Sequence, residues 1–373
     1  MQINKILKLK ISTLIFALLF VINSTFAQDH ANSENSGKPK KFDAGETITE
    51  HIIDAHEWHI VTLGNKVVAL PLPIIIYNPN SGLDFFMSSK FDEEAVYNNY
   101  KLIDGKIKVV AEDGKTIDEA KSSSIIDFSI TKNVLAIFVS VAIMLFIFIS
   151  VANTYKKAPG ATPKGLQSFI EPIIIFVRDD VAKASIGKKY ERFMPYLLTV
   201  FFFIWINNLL GLIPILPGGA NVTGNIAVTL TLAVLTFIII LFSGNKHYWR
   251  HILAMPGVPA WVLFLLTPIE ILGVFLRPFV LMIRLFANIS AGHIIALSFF
   301  SLIFIFGEMS TGLGFGVSIV SVAFTVFMMF LELLVAFLQA YVFTLLSAIY
   351  FGAAVEDGHH EHEEEHAGQV AHH

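Results

Sequence analysis

Residues 276–300 read LRPFVLMIRLFANISAGHIIALSFF and hold three ionisable side chains, Arg277, Arg284 and His293. The rest of the run is apolar enough to live in lipid. An ionisable group at the bilayer centre costs about 2.5–3.5 kcal/mol even on the lenient insertion scale, so such groups mark function by default. Outward from this stretch the apolar pattern extends from about residue 260 to 306. Gly307, Gly312, Gly314 and Gly316 then mark a turn, and a second apolar arm runs from 317 to 354. At the helical rise each arm is about 55–70 Å long, twice the ~30 Å hydrocarbon core. Arms of that length must tilt strongly or break, and Pro268 and Pro278 offer kinks in the first.

The polar residues inside the arms follow a register. Glu270, Arg277 and Arg284 recur every seven residues and line one stripe of the first arm, while His293 points to roughly the opposite face. Glu332 and Gln339 share a stripe on the second arm. In an antiparallel hairpin, residues at one level share a midpoint. Arg284 with Gln339, and His293 with Glu332, both have midpoints close to residue 312, inside the glycine cluster. Charges and glycines thus point to the same turn. One level holds a permanent cation beside a neutral amide; the other holds two groups able to pass a proton.

The whole chain fits a membrane protein with soluble ends. It has 373 residues, 54% hydrophobic and only 15% charged, with a mean hydropathy of +0.66, which sets aside a purely soluble globule. A net charge of −4 with scattered basic residues offers no nucleic-acid stripe. The absence of cysteine removes disulfides, iron–sulfur clusters and thiol catalysis. Lys5, Lys8 and Lys10 before ISTLIFALLFVI, then STFAQ, read as an export signal over residues 1–27 cut between Ala27 and Gln28. Residues 28–128 are polar and mixed. Alternation around Asp104-Gly105 signals a hairpin, and KVVALPLPIIIYNP reads as strand broken by prolines, so a small β-rich exported domain is expected. His56 and His59 in HEWH are read as ordinary surface histidines, since a pair falls short of the three or four ligands zinc takes.

The membrane part occupies residues 129–355. A first span begins near Asn133, and the segment from Tyr155 to Arg192 carries eight Lys and Arg, which places it in the cytoplasm. A second span, YLLTVFFFIWINNLLGLIP, leads to the loop PILPGGANVTGN, without Lys or Arg and therefore outside; a third returns to Lys246 and Arg250. The sequon Asn221-Val222-Thr223 in that loop has little weight. Residues 356–373 form an acidic, His-rich cytoplasmic tail. The expected architecture is an all-α polytopic membrane protein with a long tilted helical hairpin at its C-terminal end, preceded by the exported β-rich domain.

From about Asn133 to Phe351 the chain resembles subunit a of the F-type ATP synthase. The resemblance rests on FIEPIIIFVRDDV, MPYLLTVFFFIWINNLLGLIP, PIEILGVFLRPFVLMIRLFANISAGHI and LELLVAFLQAYVFTLLSAIY, and above all on the pairing of RLFANISAGH with the distant LQAYVF. It implies a membrane stator subunit, not an enzyme on its own, that forms two proton half-channels against the c-ring and couples proton flow to rotation. Arg284 is then the stator arginine with Gln339 nearby, and His293 with Glu332 the outer half-channel pair, exchanged relative to many bacterial relatives as in mitochondrial ones. Asn288 and Glu270 match polar channel positions. Gly211 departs from relatives that carry Asp there. The implied partners are the c-ring, stalk subunit b, the other synthase subunits and lipid, with no cofactor, in a bacterial inner membrane with the N-terminal domain outside and the C-terminus inside. The rival reading is a secondary transporter whose Arg284 clamps an anion, but the sequence shows no convincing internal repeat.

Overall fold

The computed structural model describes residue 45 and residues 54–356, apart from 64–65, 94–95, 104, 112–115, 158–161, 214–218, 254 and 256–257. The export signal, Asp104 and the His-rich tail lie outside the described residues. The chain divides into two units: residues 1–135 with 300–321, and residues 136–299 with 322–373.

The N-terminal region is built from antiparallel ribbons. Strands β1 (Glu57–Leu63) and β2 (Lys66–Pro71) pair, β3 (Pro73–Asn78) sits between β4 (Gly82–Met87) and the short β7 (Ile126–Asp127), and β5 (Tyr100–Ile103) pairs with β6 (Lys106–Val109). The prolines do break the strand as expected, with only Leu72 separating β2 from β3. The β5–β6 hairpin pairs Ile103 with Lys106, with Gly105 in the turn at a positive φ. Alternation then sorts the sheet's two faces: Ile74, Ile76 and Phe86 turn inward and pack with Tyr100, Ile107 and Val109. The Tyr100 hydroxyl donates to Asp84 Oδ2 at 2.7 Å and accepts from Asn78 Nδ2 at 3.1 Å. Burial, followed by the neighbouring Asp84 carboxylate, raises the Tyr100 phenol above its ordinary range. Short helices α1 (Lys90–Glu93) and α2 (Glu119–Ser124) complete the region. The Asp118 side chain caps α2 by accepting from the Lys121 N–H.

His56 corrects the expectation of a surface residue. It is 5% exposed, and its Nε2 meets Asp127 Oδ2 at 3.2 Å, which ties the entry to β1 onto β7. The side chain of His59 lies outside the described residues. Among the described residues no three His, Cys, Asp or Glu gather as a metal site.

The remainder is helical: α3 (Lys132–Lys157), α4 (Leu166–Phe176), α5 (Ala184–Ile186), α6 (Tyr190–Gly211), α7 (Ile226–Ser243), α8 (Lys246–Leu253), α9 (Ala260–Met309) and α10 (Thr311–Val355). The basic stretch between the first two spans is largely helical, with a π-helical turn over Val177–Lys183 joining α4 to α5. Its inner side buries Ile170, Val177, Val181 and Ile186, while Asp179 bridges Arg178 and Lys183 on the outside. Five helical stretches among the described residues are long and apolar enough to cross a membrane: Lys132–Lys157, Leu166–Gly211, Ile226–Ser243, Trp261–Met309 and Thr311–Val355.

The last two form the hairpin the sequence suggests. The first arm, α9, runs unbroken through Pro268 and Pro278 for 50 residues, about 75 Å at the helical rise. The turn falls at Ser310, with Gly314 N–H donating to Ser310 C=O at 2.9 Å. A Cβ on Gly314 would stand 2.9 Å from the Gly307 Cα, so this end of the hairpin closes because Gly314 has no side chain, whereas a Cβ on Gly307 would meet nothing within 4 Å. Further along, Phe299 stacks on Phe324 with ring centroids 4.5 Å apart.

Candidate functional site

Arg284 lies on an exposed face of α9 beside Val280 and Ile283. Among the described residues it has neither a hydrogen bond nor an ion pair. Arg277, two turns earlier, differs: its Nη1 donates to the Tyr248 hydroxyl at 3.3 Å, and its guanidinium stands 5.4 Å from the Tyr350 ring centre. Tyr248 itself lies outside the spans on α8, where burial raises its phenol pKa despite the neighbouring Arg277. Glu270 is half-buried a further seven residues back, well away from the arginine level along the helix.

Gln339 is buried on α10, and its Oε1 accepts from Asn288 Nδ2 at 3.0 Å. The glutamine therefore meets the residue one turn beyond Arg284 on the same side of α9. At the next level the arms approach closely: a Cβ built on Gly292 would stand 2.6 Å from Glu332 Oε1. The side chain of His293 lies outside the described residues. Its chain neighbour Gly292 nonetheless supplies the flat surface against which the Glu332 carboxylate rests. The midpoints of these contacts fall between residues 312 and 314, close to the midpoint read from the sequence.

Glu332 opens onto a small cavity lined by the end of α6, the loop before α7, α9 and α10, with a volume of about 20 Å³. That is room for about one water molecule. Asn207 and Asn208 come from the last turn of α6, Asn221 and Thr223 from the loop, and Asn288 from α9. Asn208 Nδ2 donates to Ala336 C=O at 3.1 Å and its Oδ1 accepts from the Thr223 hydroxyl, so Asn208 ties α6 to α10 and holds the loop against α6. Asn225 then caps α7 through the Ala227 N–H. Several polar atoms in the lining have no partner among the described residues: Asn207 Oδ1, both amide atoms of Asn221, and Glu332 Oε1. Buried polar atoms of this kind are normally satisfied by protein or by water.

The structure thus gathers Glu332, Asn288 and Gln339 midway along the hairpin, leaves Arg284 on the adjoining surface, and keeps Glu270 apart. Asn207, Asn208, Asn221 and Thr223 were missed in the sequence. The adjacent amides Asn207-Asn208 inside an otherwise apolar span were the available signal. Asn221 and Thr223 are 8% and 1% exposed, which removes the sequon as a modification site in the folded chain.

A chain with five such spans and a polar cluster held inside them is a multi-pass membrane protein. The model of the family "ATP synthase A chain" matches residues 134–352, more than half of the sequence. A separate model, a domain of unknown function (DUF8433), matches residues 47–128. Among curated relatives, ATP synthase subunit a of Chloroherpeton thalassium is 44% identical over 66% of this chain and 72% of its own length. ATP synthase subunit a 2 of Chlorobaculum tepidum is 49% identical over 64% and 67%. ATP synthase subunit a of an Anaeromyxobacter species is 40% identical over 65% of this chain and 57% of its own length. The chain belongs to the ATP synthase A chain family: it is a membrane subunit of a bacterial ATP synthase, part of the Fo stator and not an enzyme by itself.

Proposed function

We propose that this chain forms two offset proton half-channels against a c-ring and converts proton flow into rotation, with Arg284 as the fixed cation between them. The observation that carries the reading is an arginine without a partner among the described residues, on an exposed apolar face, one turn from the Asn288–Gln339 contact. A rotor carboxylate must be neutral in lipid and ionises only opposite a cation or in a wet channel. A guanidinium does not deprotonate in a protein, so it attracts that carboxylate without conducting the proton itself. The same fixed charge separates the two half-channels and blocks a leak.

Entry from the outer side runs past His293 and Glu332. The cavity beside Glu332, with unsatisfied polar atoms from Asn207 and Asn221, supports a water-filled approach. Asn288 and Gln339 hold the arms together beside the arginine, and Glu270 belongs to the distant part of the same helix. Each elementary charge crossing 100 mV delivers about 2.3 kcal/mol, so several protons serve one ATP. Residues 1–27 direct export, residues 28–128 lie outside the inner membrane, and the tail lies in the cytoplasm. The c-ring and stalk subunit b are the direct partners.

The test is co-purification of the c-ring with the intact chain together with ATP-driven proton pumping in inverted vesicles. Loss of pumping on deletion, restored by this chain, is the expected result. A chain that purifies without a c-ring and leaves pumping unchanged when deleted overturns the reading in favour of a transporter or scaffold. Reporter fusions at residue 120 and at the C-terminus are expected in opposite compartments.

A further inference from the structure

The N-terminal sheet β4–β3–β7 has one face in the core and a second face that is equally apolar and uncovered among the described residues. Tyr77, Leu83, Phe85, Met87, Ile126 and Phe128 all project from that second face, with Leu83, Phe85 and Phe128 68%, 67% and 61% exposed. The ladder makes them neighbours: Leu83 pairs with Tyr77, Tyr77 with Ile126, and Phe85 with Ile75, whose C=O accepts from the Phe128 N–H. Charge is turned away from this surface, since Asp84 reaches Tyr100 and Asp127 reaches His56 on the other side. A contiguous apolar face of this kind on a small domain marks an interaction site.

The sheet is tied closely to the start of α3. β7 continues along β3 through Ile130, whose N–H donates to Pro73 C=O at 3.0 Å, so a single residue, Thr131, separates the last sheet hydrogen bond from α3. That residue is held too. Asp54 accepts from the Thr131 hydroxyl at 2.8 Å and from the Asn133 N–H at 3.0 Å, and the Lys132 N–H donates to Ala55 C=O at 2.9 Å. The first turn of α3 is therefore capped by the same segment that leads into β1. From Ile130 to Lys132 the chain spans at most ~7 Å, and the apolar run of α3 begins at Val134. The headgroup layer on each side of the hydrocarbon core is itself several Å deep.

We propose that the outer face of β4–β3–β7 docks on the surface of the lipid bilayer that α3 enters, with Phe85 and Phe128 reaching the headgroup–acyl boundary. An uncharged aromatic and aliphatic face held this close to a membrane span matches an interfacial anchor, in which buried apolar area gives the binding. Attraction to anionic lipid is not needed. The inference goes beyond the proton-channel reading and rests only on α3 spanning the membrane.

The chain has no cysteine, so single-cysteine labelling is clean. The full chain would be reconstituted in phosphatidylcholine vesicles with a fluorophore at Phe85→Cys, at Phe128→Cys, at Lys106→Cys on the β5–β6 turn, or at Phe146→Cys in the middle of α3. Quenching by nitroxide lipid would be compared with quenching by aqueous iodide. Lipid quenching several-fold stronger at positions 85 and 128 than at 106, with iodide quenching in the reverse order and no dependence on added anionic lipid, is the expected result. Iodide access at 85 and 128 equal to that at 106 overturns the proposal. Shielding from both quenchers also overturns it, since a protein segment then covers the face. Failure of lipid quenching at position 146 would instead overturn the spanning of α3.

Discussion

The β-rich N-terminal region and the α9–α10 hairpin treat buried polar groups in opposite ways. In the first, the inward polar side chains mostly find partners: His56 Nε2 with Asp127, Tyr100 with Asp84 and Asn78, Asp54 with Thr131 and a helix N-terminus, while His56 Nδ1 and Asn133 Oδ1 have none among the described residues. In the second, the groups with the greatest need of a partner have none among the described residues, namely Arg284 on its exposed face and Glu332 Oε1 in its cavity. Pairing stabilises a fold, because an unmatched buried polar group costs about 1–3 kcal/mol. An unmatched group retained in a membrane hairpin points instead to a partner that comes and goes, a moving carboxylate or a proton. Arg277 sharpens the contrast within one helix: held by Tyr248 and Tyr350, it behaves as a structural cation while Arg284 does not.

The strongest way to break this comparison is to remove the unpaired cation. Arg284→Ala is expected to abolish coupled synthesis, a loss of about 10²-fold or more by analogy with removal of a preorganised electrostatic group, and to leave or create passive proton flow in inverted vesicles. Arg284→Lys keeps the charge but is compact, more strongly hydrated and able to lose its proton, so coupling fails there too. Arg277→Lys retains a cation over the Tyr350 ring and is expected to keep most activity. Robust coupled synthesis in Arg284→Ala would remove the distinction between the two arginines.

Smaller effects are expected around Glu332. His293→Glu or Glu332→His alone places like groups at one level and is expected to reduce pumping about tenfold, while the double exchange regains part of it. A double variant as poor as the product of the two singles argues against contact. A milder probe is Gly292→Ala. Its new methyl stands 2.6 Å from Glu332 Oε1, and the carboxylate is the flexible partner that must move. Stability is expected to change little and the pumping rate to fall a few-fold; an unchanged rate would show that the position of the carboxylate does not matter.

Much of the hairpin was legible because its signals are local and redundant. Glycines mark the turn, and polar residues at seven-residue spacing mark the register. What sequence did not give is which of two residues one turn apart meets the partner arm: Gln339 bonds Asn288 and not Arg284, a choice made by helix rotation. The segment before α6 was read through its Lys and Arg, and its charges do lie on the outside. Ile170, Val177 and Val181 recur at seven and four residues and form the buried stripe beneath them. The cavity was illegible because its lining comes from four segments scattered between residues 207 and 336. His56 was misread for the same reason, as its partner Asp127 lies seventy-one residues away.

That last pair yields the smallest effect on transport and a clear one on stability. Burial works to raise the Asp127 carboxyl, but hydrogen bonds from His56 and Ser129 outweigh it and hold the group below its ordinary range. The folded form therefore binds this proton less readily than the unfolded chain. Its contribution is fully present above the unfolded carboxyl value of about 3.9 and is lost as pH falls through the lower folded value. Hydrogen exchange of the β3 amides in the full chain is expected to lose protection with acid over that window. In Asp127→Asn the dependence should flatten, with protection already reduced at neutral pH by about 1–3 kcal/mol where His56 loses its charged partner. ATP-driven pumping is expected to be unaffected, because the pair belongs to the N-terminal unit and Arg284 and Glu332 to the other. If Asp127→Asn instead reduced pumping while β3 protection stayed intact, the division between a paired scaffold and an unpaired working site would fail.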